Sequence, residues 1–167
     1  MKKSGQMTLS FGMIFSIILI IVFIAFSFWA VKKFLGIQEG VKLGQFEDTF
    51  QSDIDKIWRG TQGSQSVSYS LPSAIKGTCF VDYSKPYKGN IEQEELYSDL
   101  KQAFWEEENL IFYPVGSGDG NDALILKHIN LEKITSSENP YCLYTKDGKI
   151  SATIKMNPGD SLVTVTR

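Results

Sequence analysis

The residues of this chain that could do chemistry are few and widely spaced. Two cysteines, Cys79 in "KGTCFVDY" and Cys142 in "NPYCLYT", sit in short aromatic and β-branched runs that read as strands. In an exported domain two cysteines predict one disulfide; the other reading is a pair of buried thiols acting as small hydrophobes. With the one histidine, His128, they show no zinc-ligand spacing. The stretch "GSGDGND", residues 116–122, has glycines that let backbone amides converge and oxygens on Asp119, Asn121 and Asp122 that are weak candidates for calcium. It lacks the acidic residue that closes an EF-hand loop, and no Lys-Ser/Thr pair opens a helix after it. An ordinary connection between strands is favoured. His128, in "LKHIN", has no acid or nucleophile at motif spacing and reads as structural. The run Glu106, Glu107 and Glu108 reads as a solvated helix end. No nucleophile elbow or dinucleotide fingerprint occurs. The chain reads as a non-enzyme without a cofactor.

The opening segment carries more information. Between residues 11 and 31 no side chain is charged, and fourteen of the 21 are Phe, Ile, Leu or Val. As a helix this run is about 31 Å long, close to the hydrocarbon thickness of a bilayer. On an insertion scale those fourteen sum to about −4 to −8 kcal/mol. A secretory signal has a shorter apolar core and a small-residue cleavage site, which "FSFWAVKKF" does not offer, so the segment is expected to stay in the protein. Lys2 and Lys3 face Lys32 and Lys33 across the membrane, so charge alone leaves orientation open.

Helical spacing continues beyond Lys33 through Phe34, Ile37, Val41, Phe46, Phe50, Ile54, Ile57 and Trp58. It stops at "RGTQGSQ", where Gly60 is the expected C-terminal cap. One helix over residues 6–59 is therefore predicted, greasy all round at first and amphipathic later. Gly36, Gly40 and Gly44 recur every fourth residue, and Gly12 with Ser16 makes a weaker small-residue pair. Such stripes let another helix approach closely. The other readings are a bend in the helix or a loosened linker.

The remainder predicts one domain. "SVSYSLP", "GTCFVDY", "NLIFYPV", "ALILKHI", "PYCLYT", "KISATIK" and "SLVTVTR" read as strands, and "KDGK" as a hairpin turn. "IEQEELYSDLKQAFWEE" reads as an amphipathic helix with Ile91, Leu96, Leu100, Phe104 and Trp105 inward. Without the four lysines flanking the apolar run, 13 basic residues stand against all 19 acidic ones. That balance argues against contact with nucleic acid.

Taken together, the short basic segment with Lys2, Lys3 and Gly5, then Gln6 ahead of a greasy helix, resembles archaeal type IV pilin-like proteins with a class III signal. The resemblance covers about the first 60 residues and rests on short motifs. It implies cleavage between Gly5 and Gln6 by a prepilin peptidase-like enzyme, with the hydrophobic helix retained as anchor or filament core. Thr8 stands where the family commonly has Ser. Ser10 stands where it commonly has Glu, the acid thought to pair with a neighbouring subunit's amine. That departure favours a minor or tip-like subunit, or a stand-alone anchored protein, over a major filament subunit. The implied fold is α+β: a long N-terminal transmembrane and amphipathic helix packed on an antiparallel sheet, with one accessory helix.

The expected organisation is a short basic leader at 1–5, a transmembrane helix at 6–33, its extension at 34–60 and an extracellular α+β domain at 61–167. The expected partners are the lipid bilayer, the processing peptidase and other pilin-like subunits. The expected role is structural, at the cell surface. The alternative is a single-pass protein that never polymerises and carries an outer binding or sensing domain.

Overall fold

The computed structural model describes residues 11–60, 62–104 and 107–167. Gly5, Gln6, Ser10 and Trp105 lie outside the described residues. The architecture is α+β, with helix α1 at Phe11–Arg59, α2 at Ile91–Ala103 and α3 at Leu131–Ile134. The strands are β1 (Gly63–Ser70), β2 (Gly77–Phe80), β3 (Leu110–Tyr113), β4 (Ala123–Leu124), β5 (Tyr141–Tyr144), β6 (Lys149–Met156) and β7 (Thr164–Thr166). By its contacts the chain divides between Gln38 and Glu39 into two units.

The first unit is the apolar part of α1. The helix passes the length and composition required to cross a membrane, with mean hydropathy 2.9 over its most apolar 18 residues. None of that stretch is buried within the protein.

The second unit, Glu39–Arg167, is a head built on two antiparallel sheets. One has the order β1-β6-β7 and the other β4-β3-β2-β5. The sequence predicts a single sheet; the seven strands instead divide three and four. In the first sheet β1 and β6 pair without a break from Gly63 opposite Met156 to Ser70 opposite Lys149. The expected turn at 146–149 forms, with Asp147 and Gly148 both at positive φ, 53° and 72°, as a type I′ turn demands; it closes on a single bridge between Lys146 and Lys149, and the strands it joins, β5 and β6, belong to different sheets.

The last turns of α1 lie at the centre of the head. Leu43, Phe46, Phe50 and Ile54 recur three and four residues apart, so they form one stripe, and all four are buried. Phe46 stacks on Phe50 with centroids 5.3 Å apart and meets Tyr69 and Phe112 edge-on; Phe50 also meets Phe80 edge-on. Strands of both sheets thus share one aromatic core with the helix.

A second, smaller core lies under α2, where Tyr97 and Leu100 pack with Val81, Ile111 and the two cysteines. Asn90 and Gln93 form a capping box at its start. The helix ends at Ala103, before the Glu106–Glu108 run rather than within it. Ile91, expected inward, is 74% exposed, and Tyr97 takes the inward place. The sheet carrying the cysteines lies under the Tyr97–Leu100 face, so the first turn overhangs solvent. Helix α3 has no counterpart in the periodic pattern. It is a single turn whose first free amides are met by Asn130, which accepts from Lys133 N at 2.9 Å.

Candidate functional site: an exposed apolar helix and the seat of a head

In the first unit the functional side chains are greasy and uncovered. Phe15, Ile18, Ile21, Phe23, Phe26 and Trp29 are each at least half exposed. A continuous apolar surface of this extent is compatible with a membrane anchor. The two hydroxyls within it are already satisfied. Ser16 Oγ donates to Gly12 O at 2.8 Å and Ser27 Oγ to Phe23 O at 2.7 Å. Each bond runs one turn back along the helix, so neither hydroxyl needs water. That places the Gly12 and Ser16 pair in contact with each other. Among the described residues, and apart from the neighbouring backbone of the helix itself, nothing lies within 4 Å of a side chain built on Gly36.

In the head, α1 is held by two polar faces flanking its apolar stripe. On one, Asp53 is 7% exposed and accepts from Tyr69 Oη and from Lys56 Nζ, both at 2.8 Å. Burial, and then the neighbouring Asp53 carboxylate, push the Tyr69 phenol well above its ordinary range, so it stays a donor. Near the start of this segment Glu39 accepts from Ser73 N at 3.0 Å, tying the β1–β2 connection to the helix. Gly40 and Gly44, on the same part of α1, face open space.

On the other face Gln51, Asp55 and Trp58, four and three residues apart, grip one loop. Gln51 Oε1 accepts from Lys127 N at 2.9 Å, and its amide donates to Asp55 and to Lys127 O. His128 Nδ1 lies 2.9 Å from Asp55 Oδ1. The Trp58 indole stacks flat on the imidazole, 3.7 Å between centroids and 4° between planes, and donates to Ser161 O. The bond to His128 holds the Asp55 carboxyl below its ordinary value. His128 itself adopts a left-handed φ of 63°. Motif spacing misses this pair because the two residues are 73 positions apart. Its geometry fastens a loop to a helix.

The cysteines are joined. Cys79 on β2 stands directly opposite Cys142 on β5, and a disulfide connects them beneath α2. The bridge joins residues 63 positions apart in the sequence.

The 116–122 loop folds on itself. Asp122 Oδ1 accepts from Gly118 N at 2.7 Å, Asn121 N donates to Gly118 O, and Asp119 has a positive φ of 53°. Asp122 is thus occupied in holding the turn. Among the described residues no group of three or more His, Cys, Asp or Glu is placed to hold a metal ion.

No protein-family model matches the chain, and neither a curated protein nor a solved structure matches it. The arrangement by itself defines a long, exposed apolar helix, fit to anchor in a membrane, whose final turns are the core of a disulfide-bonded α+β head.

Proposed function

We propose that this chain is a membrane-anchored, pilin-like structural subunit of a cell-surface filament or envelope assembly, minor or tip-like in character. Its prepilin-type leader is cut between Gly5 and Gln6, and the apolar helix then associates with lipid or with other pilin-like subunits. The head lies outside the cell and has no catalytic role.

The observation that carries this reading is the double use of α1: its first part is wholly uncovered apolar surface and its last turns are buried in the head. The disulfide supports an exported head, since such bridges persist in oxidising surroundings. Assembly is physical: helices bury greasy surface against lipid or each other.

Peptide mapping of the mature amino terminus tests the processing. A chain beginning at Gln6 is expected, and an intact Met1 with no oligomer overturns the filament reading. Ser10→Glu is expected to raise incorporation into filaments, because it restores the acid this family commonly has.

Ser10 also favours a second reading, a single-pass protein that does not polymerise. A carboxylate within the bilayer is costly unless paired, and its absence removes an assembly contact. Native isolation without other subunits would favour that reading.

A further inference from the structure

The two sheets of the head have four outer edges, at β1, β7, β4 and β5. Three are closed by the chain itself or are too short to accept a partner. β7 has three residues, and just before it Val163 accepts from Asn130 N and donates to His128 O, with Ile129 bridging to it. At β5, the Arg167 guanidinium donates twice to Cys142 O, at 3.2 and 3.0 Å, while Tyr141 Oη accepts from Arg167 N. β4 has two residues.

β1 is different. It has eight residues, no charge, no proline and an unbroken register on β6, with Ser64, Gln65, Ser66, Ser68 and Ser70 exposed. Among the described residues its backbone bonds to β6 alone. Sheet edges are ordinarily blunted by lysine, proline, a bulge or a covering segment, because a bare edge templates another strand. β1 has none of these.

The sequence of β1 names its occupant. Residues 64–70 read "SQSVSYS", which is nearly symmetric about Val67. In an antiparallel pair of two copies, Val67 meets Val67 of the second copy and Ser66 meets Ser68. Gln65 then meets Tyr69, and Ser64 meets Ser70. Alternation puts every serine on one face and Gln65, Val67 and Tyr69 on the other. No like charges are opposed, and Ser–Ser pairs can exchange hydrogen bonds. We propose that β1 is a homotypic docking edge, pairing antiparallel with β1 of a second copy to make a six-stranded sheet.

The direction of the strand has a consequence. β1 begins beside Ile57, whose Cδ1 is 3.3 Å from a side chain built on Gly63, and beyond its far end Ser73 meets Glu39. It therefore runs against the head segment of α1, so antiparallel pairing sets those segments of two copies in opposite directions. The acidic heads repel at long range, so pairing strengthens as salt screens them.

Cross-linking in detergent tests the register. Full chains carrying Ser66→Cys or Ser68→Cys are oxidised alone and as a mixture; the native bridge is already formed and buried. Antiparallel pairing predicts several-fold more disulfide-linked dimer in the mixture than in either variant alone. Equal yields in all three samples, self-linking stronger than mixed linking, or no dimer each overturn the proposal. Adding Ser66→Lys to the Ser68→Cys chain, and Ser68→Lys to the Ser66→Cys chain, is expected to abolish the mixed product while thermal unfolding stays unchanged. Because detergent replaces the bilayer, the pattern does not depend on the membrane reading, and failure of either leaves the other standing.

Discussion

Tyr69 on β1 donates its phenolic hydroxyl to the buried carboxylate of Asp53 on α1, 2.8 Å away. One bond thus couples the edge strand of a sheet to the helix at its centre. Tyr69→Phe keeps the aromatic packing against Phe46 and Phe50 and leaves Asp53 with Lys56 as its remaining named partner. The expected loss is about 1.5–3 kcal/mol, the range for hydrogen bonds to charged groups. Urea denaturation of the two proteins checks it, and an unchanged midpoint would contradict the role given to this bond.

Removing Phe50 is more damaging. It is fully buried between both sheets and touches Phe46, Tyr69 and Phe80. Phe50→Ala is expected to cost about 3–5 kcal/mol from lost burial and the cavity left behind. The measurement is the denaturation midpoint of the purified protein in detergent.

The Cys79–Cys142 bridge limits the unfolded chain. For a loop of 63 residues the chain-entropy estimate is about 4 kcal/mol. The double variant Cys79→Ala with Cys142→Ala is expected to unfold at clearly lower denaturant. Reductant is expected to leave its midpoint unaltered and to lower that of the native protein.

Stability is expected to fall in acid, partly through Asp55. Its folded pKa is lowered, chiefly by the bond to His128, so the unfolded chain binds the proton more readily. The contribution is present above the unfolded value of about 4 and disappears as pH drops through the lower folded value. Glu39 and Asp160, also lowered, act with the same sign. Asp55→Asn is therefore expected to flatten, without abolishing, the decline in unfolding midpoint below about pH 5, because its unfolded-state proton affinity is removed. A variant with the native acid slope would contradict the pairing.

Much of the fold can be read from residue pattern. The stripe Phe46, Phe50, Ile54 announces the buried face of α1, and alternation in "KISATIK" announces β6 with Ile150, Ala152 and Ile154 inward. What periodicity misses has local causes. β4 ends after Leu124 because the Asn109 side chain takes over both backbone groups of Leu126. The Ile91 error arises because amphipathicity marks a face without saying how far the underlying sheet extends. Gln51, Asp55 and Trp58 look like ordinary polar helix positions, and only the tertiary fold brings Lys127 and His128 onto them. Gly5 and Gln6, read from the sequence as an expected processing site, lie outside the described residues.

The most direct test of the central claim is protease treatment of intact cells, followed by mapping of the membrane-bound remnant. The account predicts that a protease unable to cross the membrane removes the Glu39–Arg167 head while the apolar stretch around residues 11–31 remains with the membrane after alkaline washing. A head that is digested only after cell lysis, or a chain released by the alkaline wash, would contradict it.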